Sequence, residues 1–116
     1  MKNLMSSFAF AVKGILTAVL EQRNMKIHLG AALLVVVAGI YYTISLLEWC
    51  QVSLAIGMVI TAELMNSSIE SLVNMVEARQ HPLAGKVKDI AAGGVLVAAI
   101  CAAVIGVLVF AKYVIA

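Results

Sequence analysis

Residues 49–73, WCQVSLAIGMVITAELMNSSIESLV, are apolar as far as Ala62 and then turn polar at every third or fourth position. The first half reads as a membrane helix, and the second half continues it with a polar stripe. At about 100° per residue, Glu63, Asn66, Ser67, Glu70 and Asn74 fall within roughly 60° either side of Glu63. One face therefore gathers two carboxylates, two amides and a hydroxyl. Facing lipid, such a stripe is very costly, so it is expected to face protein, water or a polar ligand, and its acids mark a functional site.

The sequence on either side supports a bilayer setting. The 116 residues are 64% hydrophobic and only 12% charged, and the mean hydropathy is +1.08, outside the range of a soluble domain. Residues 29–47 (LGAALLVVVAGIYYTISLL) and 90–111 (IAAGGVLVAAICAAVIGVLVFA) carry no charge. At about 1.5 Å per residue each can cross a hydrocarbon core of about 30 Å. With 49–73 they make three expected spans. Upstream, Leu4, Phe8, Val12, Ile15 and Val19 share one helical face and Ser6, Lys13, Thr17 and Glu21 the other, which predicts an amphipathic helix over about 3–22 lying on the membrane surface. This segment is not expected to be a cleaved signal peptide, because Lys2, Asn3, Ser6, Ser7 and Lys13 interrupt its apolar residues. The expected fold is thus all-α, integral to the membrane, one domain over 1–116, with three spans and a surface helix. The Gly- and Ala-rich face from Ala91 to Gly106 predicts close packing against neighbours in an oligomer.

Basic residues set the orientation. Lys2, Lys13, Arg23 and Lys26 precede the first span and Arg79, Lys86 and Lys88 lie between the second and third, so seven of the eight Lys and Arg fall on one side. The positive-inside rule makes that side cytoplasmic, with the N-terminus there and the stripe at the cytoplasmic face of the cell membrane. Lys112 is expected to snorkel at the far end, and Glu48 to lie in the turn between the first two spans. The net charge of +2 is consumed by topology and predicts no nucleic-acid partner. Residues 77–89 read as a basic cytoplasmic loop able to cover a nucleotide. Cys50 and Cys101 have no paired spacing and read as apolar fillers.

Glu63 and Glu70 are two helical turns apart, about 10 Å along the axis, which suits two ends of one polar substrate better than a shared ion. Glu70, nearer the cytoplasm, suits Mg²⁺ held jointly with nucleotide phosphates. Glu63, deeper, suits proton acceptance from a lipid hydroxyl. The competing reading of the stripe is a polar seam between helices, strongest for Asn66 and Ser67. Lys88 and Asp89 suit phosphate and nucleotide contacts or, alternatively, topology alone. His81 reads as a solvated loop residue and His28 as an interfacial anchor. Neither has metal spacing, and neither a P-loop nor a protein-kinase motif occurs.

The run Glu63-Leu-Met-Asn66-Ser67-Ser68-Ile69-Glu70, followed by His81-Pro82-Leu83-Ala84 and Lys88-Asp89-Ile90-Ala91-Ala92-Gly93, resembles the prokaryotic diacylglycerol kinase family. The likeness extends to Phe8, Ala11 and Lys13-Gly14, and to Asn24-Met25-Lys26-Ile27-His28. The last of these and His81-Pro82-Leu83-Ala84 look like the branch that phosphorylates undecaprenol. The resemblance implies a homotrimer with sites between subunits, ATP as donor and Mg²⁺ as cofactor. It also implies a membrane lipid alcohol as acceptor, undecaprenol ahead of diacylglycerol. By position it assigns Glu63 as catalytic base and Glu70 as metal ligand. It assigns Phe10, Asn66, Asn74, Arg79, Gln80, His81, Lys88 and Asp89 to the nucleotide, and Ser67 and Lys13, with Glu63, to the lipid substrate. Two positions depart from the pattern: Gln22 stands where the family has a second metal-binding glutamate, with Glu21 one residue away as its alternative, and Asn74 stands where an acidic residue is usual. These amides raise a weakened or inactive kinase as an alternative. A small proton-coupled transporter is the rival from another class, disfavoured because it would want four spans and a lone mid-membrane carboxylate.

Overall fold

The computed structural model describes residues 3–116; Lys2, counted above among the basic residues, lies outside them. Four helices follow in order, α1 (Leu4–Glu21), α2 (Arg23–Tyr42), α3 (Leu46–Val76) and α4 (Pro82–Ile115), and the fold is all-α as the apolar periodicity predicts. All four are long and apolar enough to cross a membrane by length and composition.

Local chemistry explains each boundary. Asn3 caps α1, its side-chain oxygen accepting from the Ser6 N–H at 2.9 Å, which satisfies one of the donors a helix start leaves open. Gln22, in extended conformation (φ −102°, ψ 119°), is the only residue between α1 and α2. α2 stops at Tyr42 because Thr43 adopts the left-handed conformation (φ 49°, ψ 55°). The Thr43 and Ile44 N–H groups then return to the carbonyls of Ile40 and Gly39 at 3.3 and 3.2 Å, the cap by which helices commonly terminate. Ser45 opens α3 with a reciprocal capping box: its hydroxyl accepts from the Glu48 N–H, and the Glu48 carboxylate accepts from the Ser45 N–H.

The uncharged run 29–47 is consequently not one helix. Its apolar character runs straight through a turn at 43–45, and Leu46, Leu47 and Glu48, expected in the first span or the turn, belong to α3. A capping box placed in an apolar run is invisible to hydropathy. A second correction concerns residues 77–89. The connection is only 77–81, because His81 Nδ1 accepts from the Leu83 N–H at 3.1 Å and Pro82 starts α4. Proline is tolerated there since a first-turn N–H has no helical partner. Lys86, Lys88 and Asp89 therefore ride on α4 instead of a loop.

α4 packs along α3, α2 also packs on α3, and α1 touches α2 and α3. Ile44, Val52 and Val109 form the buried core, flanked by Trp49, Tyr42, Ile105, Phe110 and Tyr113. Gly39 permits the closest approach: a Cβ there would lie 2.6 Å from the Trp49 ring. The molecule measures 53 × 39 × 20 Å, and its shortest dimension is about two helix diameters. So thin a layer cannot enclose its apolar faces, and Leu33, Leu34, Leu54, Leu96, Val107 and Leu108 remain exposed, as suits a chain bathed in lipid or joined to neighbours.

Candidate active site

The polar stripe lies on the inner face of α3 from Glu63 to Glu70, and Asn74 at its end is exposed. Glu63 is 1% exposed, Asn66 5% and Ser67 8%, and Glu70, one turn on, is half-buried. Asn66 Nδ2 donates to Glu70 Oε1 at 3.3 Å, an i,i+4 pair that orients the lower carboxylate. Among the described residues, the buried side-chain atoms lacking a hydrogen-bond partner are Glu63 Oε2, Asn66 Oδ1 and Ser67 Oγ, all on this stripe. Buried polar groups are nearly always paired, so three orphans within two turns point to a polar ligand or to a group from another molecule.

Three elements meet the stripe. From α2, His28 Nε2 lies 3.6 Å from Glu63 Oε2, beyond hydrogen-bonding range. His28 also stands in the lining of an apolar cleft of about 290 Å³ between α2, α3 and α4. From α1, Phe10, Lys13, Glu21 and Gln22 line a groove of about 720 Å³ whose α3 wall includes Ser67, Ser68 and Ser71. From α4, Lys88 Nζ donates to Asn74 Oδ1, tying the end of the stripe to the next helix. The groove brings Lys13 and the Glu21–Gln22 junction toward Ser67, and the Lys88–Asn74 bond joins two residues predicted to serve the nucleotide.

Other predicted residues are not brought in. Arg79 and His81 sit exposed in the connection; Arg79 bonds to Glu77 and His81 caps α4. Gln80 and Asp89 are likewise exposed. Among the described residues no three of His, Cys, Asp and Glu converge as a metal cage. Mg²⁺ is usually held by one or two carboxylates with phosphate oxygens and water completing its octahedron. The Glu70 carboxylate, oriented by Asn66 and partly open, fits that modest demand. The sequence reads His28 as an interfacial anchor and does not place it beside Glu63. A single histidine has no internal spacing to reveal a partner on another helix, so only the packing of α2 on α3 exposes it.

A second polar cluster lies at the other end of α3. Glu48 accepts from Tyr113 Oη and pairs with Lys112 at 2.8 Å, while Tyr42 stacks on Tyr113 at 5.7 Å between ring centroids. Lys112, expected to snorkel at the far end of the last span, pairs there with Glu48.

Residues 9–110 match the family described as prokaryotic diacylglycerol kinase. The chain is 36% identical over 110 residues to the undecaprenol kinase of Bacillus subtilis, covering 95% of this chain and 89% of that protein. It is 35% identical over 105 residues to a diacylglycerol kinase of Synechocystis, covering 90% of this chain and 60% of the relative. With the diacylglycerol kinase of Escherichia coli it shares 25% identity over 102 residues, 88% of this chain and 84% of that one. An apolar helical chain whose buried glutamate has an unpartnered carboxylate oxygen, matched from residue 9 to residue 110, belongs to the prokaryotic diacylglycerol kinase family of membrane lipid kinases.

Proposed function

We propose that this lipid kinase transfers the γ-phosphoryl group of ATP to the primary hydroxyl of a membrane lipid, undecaprenol in preference to diacylglycerol, with Mg²⁺. The observation that carries the reading is Glu63, 1% exposed with Oε2 unpartnered, on a helix apolar enough to cross the bilayer. A carboxylate there suits the proton of a hydroxyl arriving from the lipid side. The preference for undecaprenol is supported by the 36% identity to a protein of that name and by the Asn24-to-His28 and His81-to-Ala84 motifs.

Glu70 would hold Mg²⁺, with Gln22 or Glu21 as a further ligand across the groove, and the ion would neutralise charge on the transferring phosphoryl group. Lys88, Asp89, Asn66, Asn74, Phe10 and the 79–81 connection would bind nucleotide, and Lys13 and Ser67 the acceptor. Phosphoryl transfer asks little covalent chemistry of the protein, so positioning and electrostatics supply most of the rate. Three spans, α2 to α4, would cross the cytoplasmic membrane with the N-terminus and site on the cytoplasmic side. α1 would lie on the surface, because crossing would put Lys13, near its middle, in hydrocarbon. Three copies would assemble with sites between subunits, covering the exposed apolar faces. Mixing subunits damaged at Glu70 with subunits damaged in α1 should then restore activity; absence of rescue in confirmed mixed oligomers counts against shared sites.

Gln22 and Asn74 favour a second reading, a kinase weakened in metal binding. Purified protein in mixed micelles with γ-labelled ATP, Mg²⁺ and either undecaprenol or diacylglycerol tests both. Transfer to undecaprenol at the higher kcat/KM supports the first reading, and no transfer to either acceptor at any Mg²⁺ concentration overturns it.

A further inference from the structure

We infer that His28 is a substrate-positioning residue, whose Nε2–H holds the oxygen of the acceptor hydroxyl while Glu63 Oε2 receives its proton. The inference rests on the reading of Glu63 as proton acceptor and adds a second hand to it. The two atoms are 3.6 Å apart, too far to bond to each other. An oxygen about 2.8 Å from each closes a triangle on that base with ordinary hydrogen-bond lengths. Glu63 Oε2 is buried with no partner, so the chain itself leaves that corner open. The imidazole is the one polar side chain in the lining of the apolar cleft that runs past Ala31, Val35, Val59, Ala102 and Gly106. Glu63 is not part of that lining, but His28 borders both the cleft and Glu63 Oε2, so a hydroxyl held by Nε2 would have an apolar cleft beside it to receive the carbon body of a lipid alcohol.

The step balances without another reactant. The hydroxyl oxygen accepts from His28, gives its proton to Glu63 Oε2, and keeps a lone pair that forms the new O–P bond as the bond between γ-phosphorus and the β–γ bridging oxygen breaks. The products are the phosphorylated lipid, ADP and protonated Glu63, which then releases its proton to solvent.

The test compares His28→Leu, His28→Gln and His28→Asn with the parent in mixed micelles, varying undecaprenol at saturating Mg·ATP and then Mg·ATP at saturating undecaprenol. Losing one neutral hydrogen bond to the acceptor should raise the lipid KM about tenfold in His28→Leu and leave the Mg·ATP KM unchanged. His28→Gln, whose amide nitrogen reaches the Nε2 position, should recover most of the loss, and His28→Asn, whose amide stops short, should not. If His28→Leu fails to assemble, the Gln and Asn variants decide alone. Equal lipid KM values for Gln and Asn, or Mg·ATP and lipid KM values that rise together, overturn the inference. Glu63→Gln, run in parallel, separates the two claims: parental turnover in that variant overturns the reading of Glu63 itself, whereas a dead Glu63→Gln beside unaffected His28 variants overturns only the role of His28.

Discussion

Near the start of α3, Glu48 is 7% exposed and its carboxylate is met by the Ser45 N–H, Tyr113 Oη and Lys112 Nζ. About four turns further along the same helix, Glu63 is 1% exposed, its Oε2 bonds to nothing, and the nearest cation-forming group stands 3.6 Å off. Residue type, helix and burial are alike; the surroundings are opposite. The chain evidently can build a complete shell around a buried carboxylate, and does so where α3 and α4 must be fastened. Leaving Glu63, Asn66 and Ser67 incomplete is thus a property of that place and not of poor packing. Half-satisfied buried groups cost stability, and under the proposed function a substrate would complete them here.

Neutralising one carboxylate at a time tests the contrast. Glu63→Gln should produce the largest effect, a fall in turnover of about 10²- to 10⁴-fold, the range for a lost general base, with Mg·ATP binding intact by nucleotide titration. Glu70→Gln should come next and act differently, weakening nucleotide binding only when Mg²⁺ is present; the reverse pattern in single-turnover assays would exchange the two roles. At the fastened end, Gly39→Ala forces a methyl group against Trp49 and should destabilise the fold by about 1–3 kcal/mol. That loss should appear in thermal unfolding in detergent, while the lipid KM of the surviving protein stays at the parental value. A matching loss of substrate affinity would mean that the two ends are coupled through α3. The smallest change expected is a few-fold gain from Gln22→Glu, alone or with Asn74→Asp, read as higher activity at lower Mg²⁺, since one added carboxylate contributes to a site that phosphate oxygens largely complete. An unchanged metal requirement would assign the position to Glu21 instead.

The stripe was legible in the sequence because helical periodicity is a local property: Glu63, Asn66 and Ser67 share a face whatever packs on it, and the structure buries all three. The membrane setting was legible from apolar length alone. What escaped depends on groups that hydropathy does not weigh. The turn at 43–45 rests on a left-handed Thr43 and a capping box inside an apolar run, and the early start of α4 on the histidine cap before Pro82. His28 and Lys112 escaped for a different reason: each finds its carboxylate on another helix, 35 and 64 positions away in sequence, and one sequence holds no record of such pairings. The groove between α1 and α3, where Lys13 and Gln22 approach Ser67, is likewise a product of docking.

α3 has 31 residues and is about 46 Å long, against a hydrocarbon core of about 30 Å. Measured from Leu46, Glu63 stands about 26 Å along it, Glu70 about 36 Å and Asn74 about 42 Å. With Leu46 at one face of the bilayer, the upper carboxylate stops just short of the opposite face and the lower one clears it. With α3 so placed, a bilayer thinned by a few ångströms would bring Glu63 into the headgroups and a thicker one would sink it. Under the proposed function, acyl-chain length in the surrounding membrane would then set how readily the greasy and the water-soluble reactants meet.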